Sequence, residues 1–394
     1  MSIPSMQYMS WINGFSGSAI LAGGGEHKVL RYDGNIWTEL PNEDLDYARD
    51  AFMFTSDNAL IVCSNRGMFR YDGSSVEKCD HDYWLEPLRA VSGTPTSNVY
   101  AVGDYGFVFC YDGVSWSEFG RPTTNALFDI ITFSDYDMCV LGWSETYHFD
   151  GVSWEPMGIS EVIGGSRMWG LSSDDLYVAG VEGSIHHYDG NDWTRIRHVP
   201  SVWVDPEEVE GYWETLHDIW GTSGSDIYAV GKRSEREYRS GELVTWSCPV
   251  IVHFDGIDWT YQSTPIPCPP YEPPICTMSL EAVWGSSTTD IWAAGNVYEY
   301  TPFINYFVLH SDGAGWDGVP GISHVDAIWG AATESDVYFL RGEAGSISIY
   351  DGIEWSSSDI SDVVLRDMWG VDRSSTPAEI PPPVFALSQN YPNP

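Results

Sequence analysis

Four histidines hold one place in a recurring pattern: His148, His187, His253 and His310 each stand two residues before an Asp-Gly pair. Imidazoles at a fixed spacing are what a metal centre needs. The same slot, however, holds Arg31, Arg70, Cys110 and Ile349 in the other copies, residues that share no ligand chemistry. If this slot lies on an outer strand of a radial fold, equivalent side chains diverge. The histidines are therefore expected to be structural, and the adjacent His186 and His187 point to opposite faces of a strand.

The aspartates of the same pattern, Asp33, Asp72, Asp112, Asp150, Asp189, Asp255, Asp312 and Asp351, invite a calcium reading. Each offers a single carboxylate, short of the six to eight oxygens that calcium collects. They are expected to be structural turn residues, and neither a metal nor another cofactor is expected. Cys63, Cys79, Cys110, Cys139, Cys248, Cys268 and Cys276 include no Cys-x-x-Cys pair. Cys268 and Cys276, with Cys248 nearby, lie in a proline-rich insertion where a disulfide would substitute for burial, so that pair is the candidate bridge.

What positions these residues is a repeat. Tyr32-Asp33-Gly34-Asn35-Ile36-Trp37 returns as Tyr111 to Trp116, Phe149 to Trp154, Tyr188 to Trp193, Phe254 to Trp259, Ser311 to Trp316 and Tyr350 to Trp355. A degenerate copy, Tyr71-Asp72-Gly73, has Val76 in place of the tryptophan. A second motif keeps the same period: Trp169-Gly170 followed by Asp175-Leu176-Tyr177-Val178-Ala179-Gly180 is echoed at Trp220 to Gly231, Trp284 to Gly295 and Trp329 onward. Most steps between the aspartates are near 39 residues.

Each unit reads as four short strands, with Asp-Gly as the tight turn between the third and fourth. About 40 residues in four strands, repeated, is the signature of a radial ring. The expectation is an all-β fold, a β-propeller of eight four-stranded blades over residues 7–371, with seven plus an extra blade as the alternative. The motif tryptophans are expected to form the core between blades.

The Asp-Gly-x-x-Trp turn resembles the Asp-box of BNR-type and sialidase-like propellers, and the whole unit is similar to repeats of secreted bacterial propellers. The resemblance spans residues 7–362 and implies fold rather than activity. A sialidase-like site would need convergent arginines near the axis, and the first strands of the repeats are expected to supply none in register. Glu208 and Glu214 could form an acid/base pair. No Ser/His/Asp arrangement, phosphate loop or redox motif appears. No catalytic residue is assigned, and a carbohydrate-active enzyme is the alternative reading.

Two steps, of 66 and 57 residues, break the period. The extra length falls in 195–214, 232–245, 263–279 and 296–306, connections that emerge on one face of a propeller. Trp203, Tyr212, Trp213, Glu214, Tyr238, Trp246, Tyr271, Tyr298, Tyr300, Phe303 and Tyr306 are the candidate contact residues there. Aromatic platforms beside carboxylates suit a glycan or an extracellular protein. The expected function is therefore non-catalytic binding or adhesion by a monomer, with a structural module of a larger surface protein as a further alternative.

Charge narrows the partners. Fifty-seven acidic against 18 basic residues leave a formal net charge of −39, which repels nucleic acid and anionic membrane. No apolar run reaches the ~18 residues of a membrane span. Residues 372–384 form a proline-rich linker, and Leu387-Ser388-Gln389-Asn390-Tyr391-Pro392-Asn393-Pro394 closes the chain. Residues 385–394 resemble the truncated start of the C-terminal sorting domain of the type IX secretion system. The resemblance implies secretion machinery as a partner through the complete domain, and an extracellular or outer-membrane surface location in a Gram-negative bacterium. Met1 to Gly25 lacks the basic start and apolar run of a signal peptide, so a missing N-terminal leader and a missing remainder of the sorting domain are expected.

Overall fold

The structure is a computed structural model that describes residues 9–16, 18–24, 28–41, 44–45, 48–63, 67–79, 87–94, 98–142, 145–158, 167–203, 211–239, 242–266, 277–298, 307–320, 322, 325, 327–330, 336–341, 346–352, 355–359 and 369–370. Apart from one 3-10 turn at Asp104–Gly106, every regular element among them is a strand. The strands form eight antiparallel units at residues 9–41, 48–78, 88–120, 127–156, 167–197, 211–261, 277–319 and 327–359, here blades 1 to 8. In each, strands a, b, c and d pair in chain order. Blades 6 and 7 are joined into one sheet through a parallel bridge at Ser247 and Thr277. The eight repeats thus give seven hydrogen-bonded sheets.

Strands a line the inside of a ring, each packed against strand a of the next blade from blade 1 to blade 8. A last strand, Trp369–Gly370, packs on strand a of blade 8 and pairs in parallel with Asn13 and Gly14 of blade 1. Trp329 of blade 8 lies over Gly14, where an added Cβ would come within 2.9 Å of the indole. The ring is closed, and the fold is a β-propeller.

The Trp-Gly motif is explained by these seams. The indoles of Trp169, Trp220 and Trp329 cover the motif glycine of the next blade, at Gly221, Gly285 and Gly14, each with an added Cβ 2.9 Å from the ring. A side chain at the glycine would take the indole's place, so the pair works only as large-on-nothing. The Asp-Gly turns are equally uniform. Asp255 accepts the N–H groups of Ile257 and Asp258 at 2.9 and 3.0 Å, and Gly256 has φ +89°, the left-handed region that glycine enters freely. Those two bonds hold the Asp255 carboxyl below the usual carboxylate range. The turn tryptophan sits opposite the aromatic before Asp-Gly, as in Phe254 and Trp259 with ring centroids 5.4 Å apart.

Alternate blades carry a second clasp, with or without the Trp-Gly motif. Asp50, Asp129 and Asp218 in strands a of blades 2, 4 and 6 are buried. Each carboxylate accepts one N–H from its own strand and one from strand a of the following blade: Val91 at 3.0 Å, Met168 at 3.1 Å and Val283 at 2.9 Å. Burial pushes these carboxyls up to about 8, 7 and 6, while the Arg167 charge works in the opposite sense on all three.

Candidate functional site

The four pattern histidines lie on strands c and bond across the sheet to the aspartate that opens strand b. His148 meets Asp137 at 2.7 Å, His187 meets Asp175 at 2.7 Å, His253 meets Asp226 at 2.6 Å and His310 meets Asp290 at 2.8 Å. Three of the rings also lie on an aromatic of strand b, with centroids 4.1 to 4.3 Å apart at Tyr228, Trp292 and Tyr177. Arg70 in the same slot reaches Asn58, its blade's counterpart of those aspartates, at 3.1 Å. The slot is a cross-strand tie, and each histidine serves its own blade.

Among the described residues, part of the extra length of the long steps is built as strand. In blade 6, strand a runs Gly211–Ser223, strand b Asp226–Arg239 and strand c Glu242–Phe254. In blade 4 the corresponding strands are Leu127–Ser134, Asp137–Gly142 and Thr146–Phe149. Three strands of blade 6 therefore project past the ring edge, with Val202–Trp203 added beside strand a. In blade 7, strands a (Thr277–Ser287) and b (Asp290–Tyr298) are lengthened on the same face. Sequence reading missed the extension because Lys232 to Arg239 has no alternation of apolar with polar residues, the signal that marks a half-buried strand.

The candidate contact residues separate on this scaffold. Tyr212, Trp213 and Tyr238 stand on the extension, with Tyr238 55% exposed. The Arg233 guanidinium lies 4.3 Å from the centroid of the Tyr212 ring, and that of Arg236 lies 5.4 Å from the Trp213 centroid. Trp203 and Tyr298 are on strands that take part in the same extended sheet. Tyr271, Tyr300, Phe303 and Tyr306 lie outside the described residues. So do Glu208, Cys268 and Cys276. Cys248 is disulfide-bonded, whereas Cys63, Cys79, Cys110 and Cys139 are free thiols, so none of these four is its partner.

Two candidates are interior instead. Trp246 is buried, and Glu214 is 0% exposed. Glu214 pairs with Arg197 at 2.6 Å and accepts the Tyr261 hydroxyl at 2.8 Å. A carboxylate sealed this way meets no ligand and cannot serve as an acid or base toward one. A Ser–His–Glu contact at the seam of blades 6 and 7 is likewise no catalytic triad. Ser279 and Glu281 both approach the same nitrogen of His217, Nδ1, at 3.0 Å, and Ser279 is buried. A triad needs serine and acid on opposite nitrogens.

One feature of the inner strands corrects the reading that they supply no arginines in register. Strand a carries a β-bulge near its start in blades 1, 2, 3, 4, 6 and 7, and the bulged residues are Ser10, Arg49, Arg89, Phe128, His217 and Glu281. A bulge re-aims a side chain. Neighbouring occupants meet: the Arg89 guanidinium lies 5.2 Å from the Phe128 ring centroid, and His217 meets Glu281. Arg89 is also ion-paired with Asp104 of its own blade. Two arginines do stand in register on adjacent blades, but the next positions are aromatic, basic and acidic. The sequence signal was available: in blades 2, 4 and 6 the bulged residue immediately precedes the clasp aspartate.

No protein-family model matches the chain, and no curated protein does. Among solved structures, the chain is similar to YCF48 from Cyanidioschyzon merolae, at 12% identity over 79% of this chain and 95% of that one, with a TM-score of 0.48. It is similar to the computationally designed protein Ika8 at 9% identity, 92% and 90% coverage and a TM-score of 0.47. The extracellular domain of the one-component system BT4673 from B. thetaiotaomicron shares 12% identity, with 89% and 51% coverage and a TM-score of 0.43. These likenesses are too distant to bear on function, and the propeller assignment rests on the strand pairing and ring closure.

Proposed function

We propose that this chain is a non-catalytic binding or adhesion propeller, exported to the cell surface, that recognises a glycan or extracellular protein through the strand extension of blade 6. The observation that carries the reading is where the repeat departs from itself. Blade 6 invests the added length in a three-stranded platform on one face, and functional insertions in repeat folds gather in this way. Ordered strands hold contact side chains in place, so little conformational entropy is lost on binding.

The test removes the platform and keeps the ring. Ser234 and Ser247 face each other across the hairpin with their hydroxyls 2.7 Å apart. Residues 236–245, beyond that pair and beyond the buried Trp246 paired with Glu235, can therefore be replaced by Asn-Gly as a two-residue turn. The shortened chain is expected to keep its circular dichroism and melting temperature and to lose binding on glycan and extracellular-protein arrays. Unchanged array binding by a folded, shortened chain would overturn the reading. Export is supported by the likeness of residues 385–394 to a sorting domain. Protease shaving of intact producing cells should release the propeller; recovery only after lysis would remove the surface location.

A further inference from the structure

The extension sorts its charges by face. Pairing sets the faces: Trp213 is opposite Ser234, which is opposite Ser247; Arg236 is opposite Thr245; Tyr238 is opposite Leu243. Side chains alternate along a strand, so Trp213, Lys232, Ser234, Arg236, Tyr238, Leu243, Thr245 and Ser247 share one face. The carboxylates Glu214, Glu235 and Glu237 belong to the other, where Arg233 pairs with Glu235 at 3.6 Å. In a protein with 57 acidic residues, the first face carries no carboxylate among its described residues.

The outer part of that face is open. Tyr238 is 55% and Leu243 43% exposed, whereas Ser234 and Ser247 at its base are buried. Arg236 is fixed from two sides: its Nε donates to Thr245 Oγ1 at 3.1 Å, and its plane is held near the Trp213 ring. No described protein acceptor takes the N–H groups on its two terminal nitrogens. The fork is thus oriented and unspent. Trp213 and Tyr238 flank it along a row roughly 13 Å long, taking four residues of strand rise.

We propose that this face binds a carboxylated glycan, with uronate rings lying on Trp213 and Tyr238 and a uronate carboxylate taking the bidentate fork of Arg236. The inference rests on the extension being the binding surface. A uronate combines a C–H face for an aromatic ring with a carboxylate for a guanidinium, and the site offers both within one row. An acidic peptide would use the arginine but leave the broad aromatic faces without a matching surface. The charge of −39 does not forbid an anionic ligand, because a Debye length of ~8 Å at physiological salt screens the distant acids.

Calorimetric titration at physiological salt with trigalacturonate, galactotriose and hexaglutamate tests the proposal. Trigalacturonate is expected to bind at least about tenfold more tightly than galactotriose, a difference of about 1.4 kcal/mol. Arg236→Gln should bring the two sugars level, and Tyr238→Ala should weaken both. Arg233→Gln, on the opposite face, should change neither. Thermal melting checks that each variant folds, and Tyr238 is exposed enough for its variant to report even if Arg236→Gln does not. Equal binding of the two sugars, with Arg236→Gln silent, would overturn the carboxylate assignment and leave a glycan-binding extension standing. Binding of hexaglutamate alone would overturn it in favour of a protein partner. If none of the probes binds, the proposal fails, and array binding by the shortened chain decides the broader reading separately.

Discussion

The seam between blades 8 and 1 makes a quantitative prediction, because Trp329 of one blade lies directly over Gly14 of the other. Trp329 is 2% exposed, so Trp329→Ala should cost about 3–5 kcal/mol through lost burial and an unfilled cavity. Gly14→Ala places a methyl group 2.9 Å from the indole, whose carbons are its three nearest atoms, so its cost of about 1–3 kcal/mol is overpacking. In the Trp329→Ala background that methyl enters space the indole has left. Its cost should vanish or reverse, giving a coupling of about 1–3 kcal/mol in the double-mutant cycle. Urea titration of the four proteins, followed by fluorescence and far-ultraviolet circular dichroism together, measures it. Both probes are needed because a ring of repeats can unfold in parts. Additivity within about 0.5 kcal/mol would mean that the two residues do not touch and that the indole does not seal this seam.

The buried clasp aspartates predict a pH dependence. Their folded values of about 8, 7 and 6 lie above the ~4 of an unfolded aspartate, so folding favours the protonated form. The stability they contribute is fully present below pH ~4 and is lost as pH rises through 6 to 8. The urea midpoint should therefore climb between pH 8.5 and 5.5, and Asp129→Asn should flatten the climb; a wild-type midpoint that falls over this range would sink the assignment. His148, raised by its bond to Asp137, adds in the same direction. Arg197→Met strands the buried Glu214 charge and should cost about 3–5 kcal/mol, most of it recovered in Arg197→Met/Glu214→Gln. Failure of the second change to rescue would show that the arginine's packing on Tyr261, rather than its charge, is what matters.

The blades were legible because their signals are local. Asp-Gly needs a left-handed glycine and Trp-Gly needs an absent side chain, and these constraints write the same letters eight and five times. The clasp aspartates were invisible for the opposite reason. Asp50, Asp129 and Asp218 occupy only alternate blades, and their partners are backbone N–H groups that leave no trace in residue type. The candidate site was half legible. Interruption of the period marked where the strand extension lies, and Tyr212, Trp213 and Tyr238 stand on it. Composition could not tell an exposed aromatic from Trp246, nor a surface acid from Glu214, since burial there depends on strands whose polar sequence hid them. Arg236 went unnoticed because its meaning comes from the face it shares, which only the hairpin register defines.

The short parallel strand Trp369–Gly370 has a directional consequence. Running alongside strand a of blade 1, it leaves the ring on the face where strands a end. The blade 6 platform rises from the face where they begin. Gly370 therefore ends its strand toward the pole of the disc opposite the platform. Under the proposed surface location, attachment from that pole would turn the blade 6 platform toward the medium and the plain turns toward the support. The parallel direction of one two-residue pairing would then orient the whole disc.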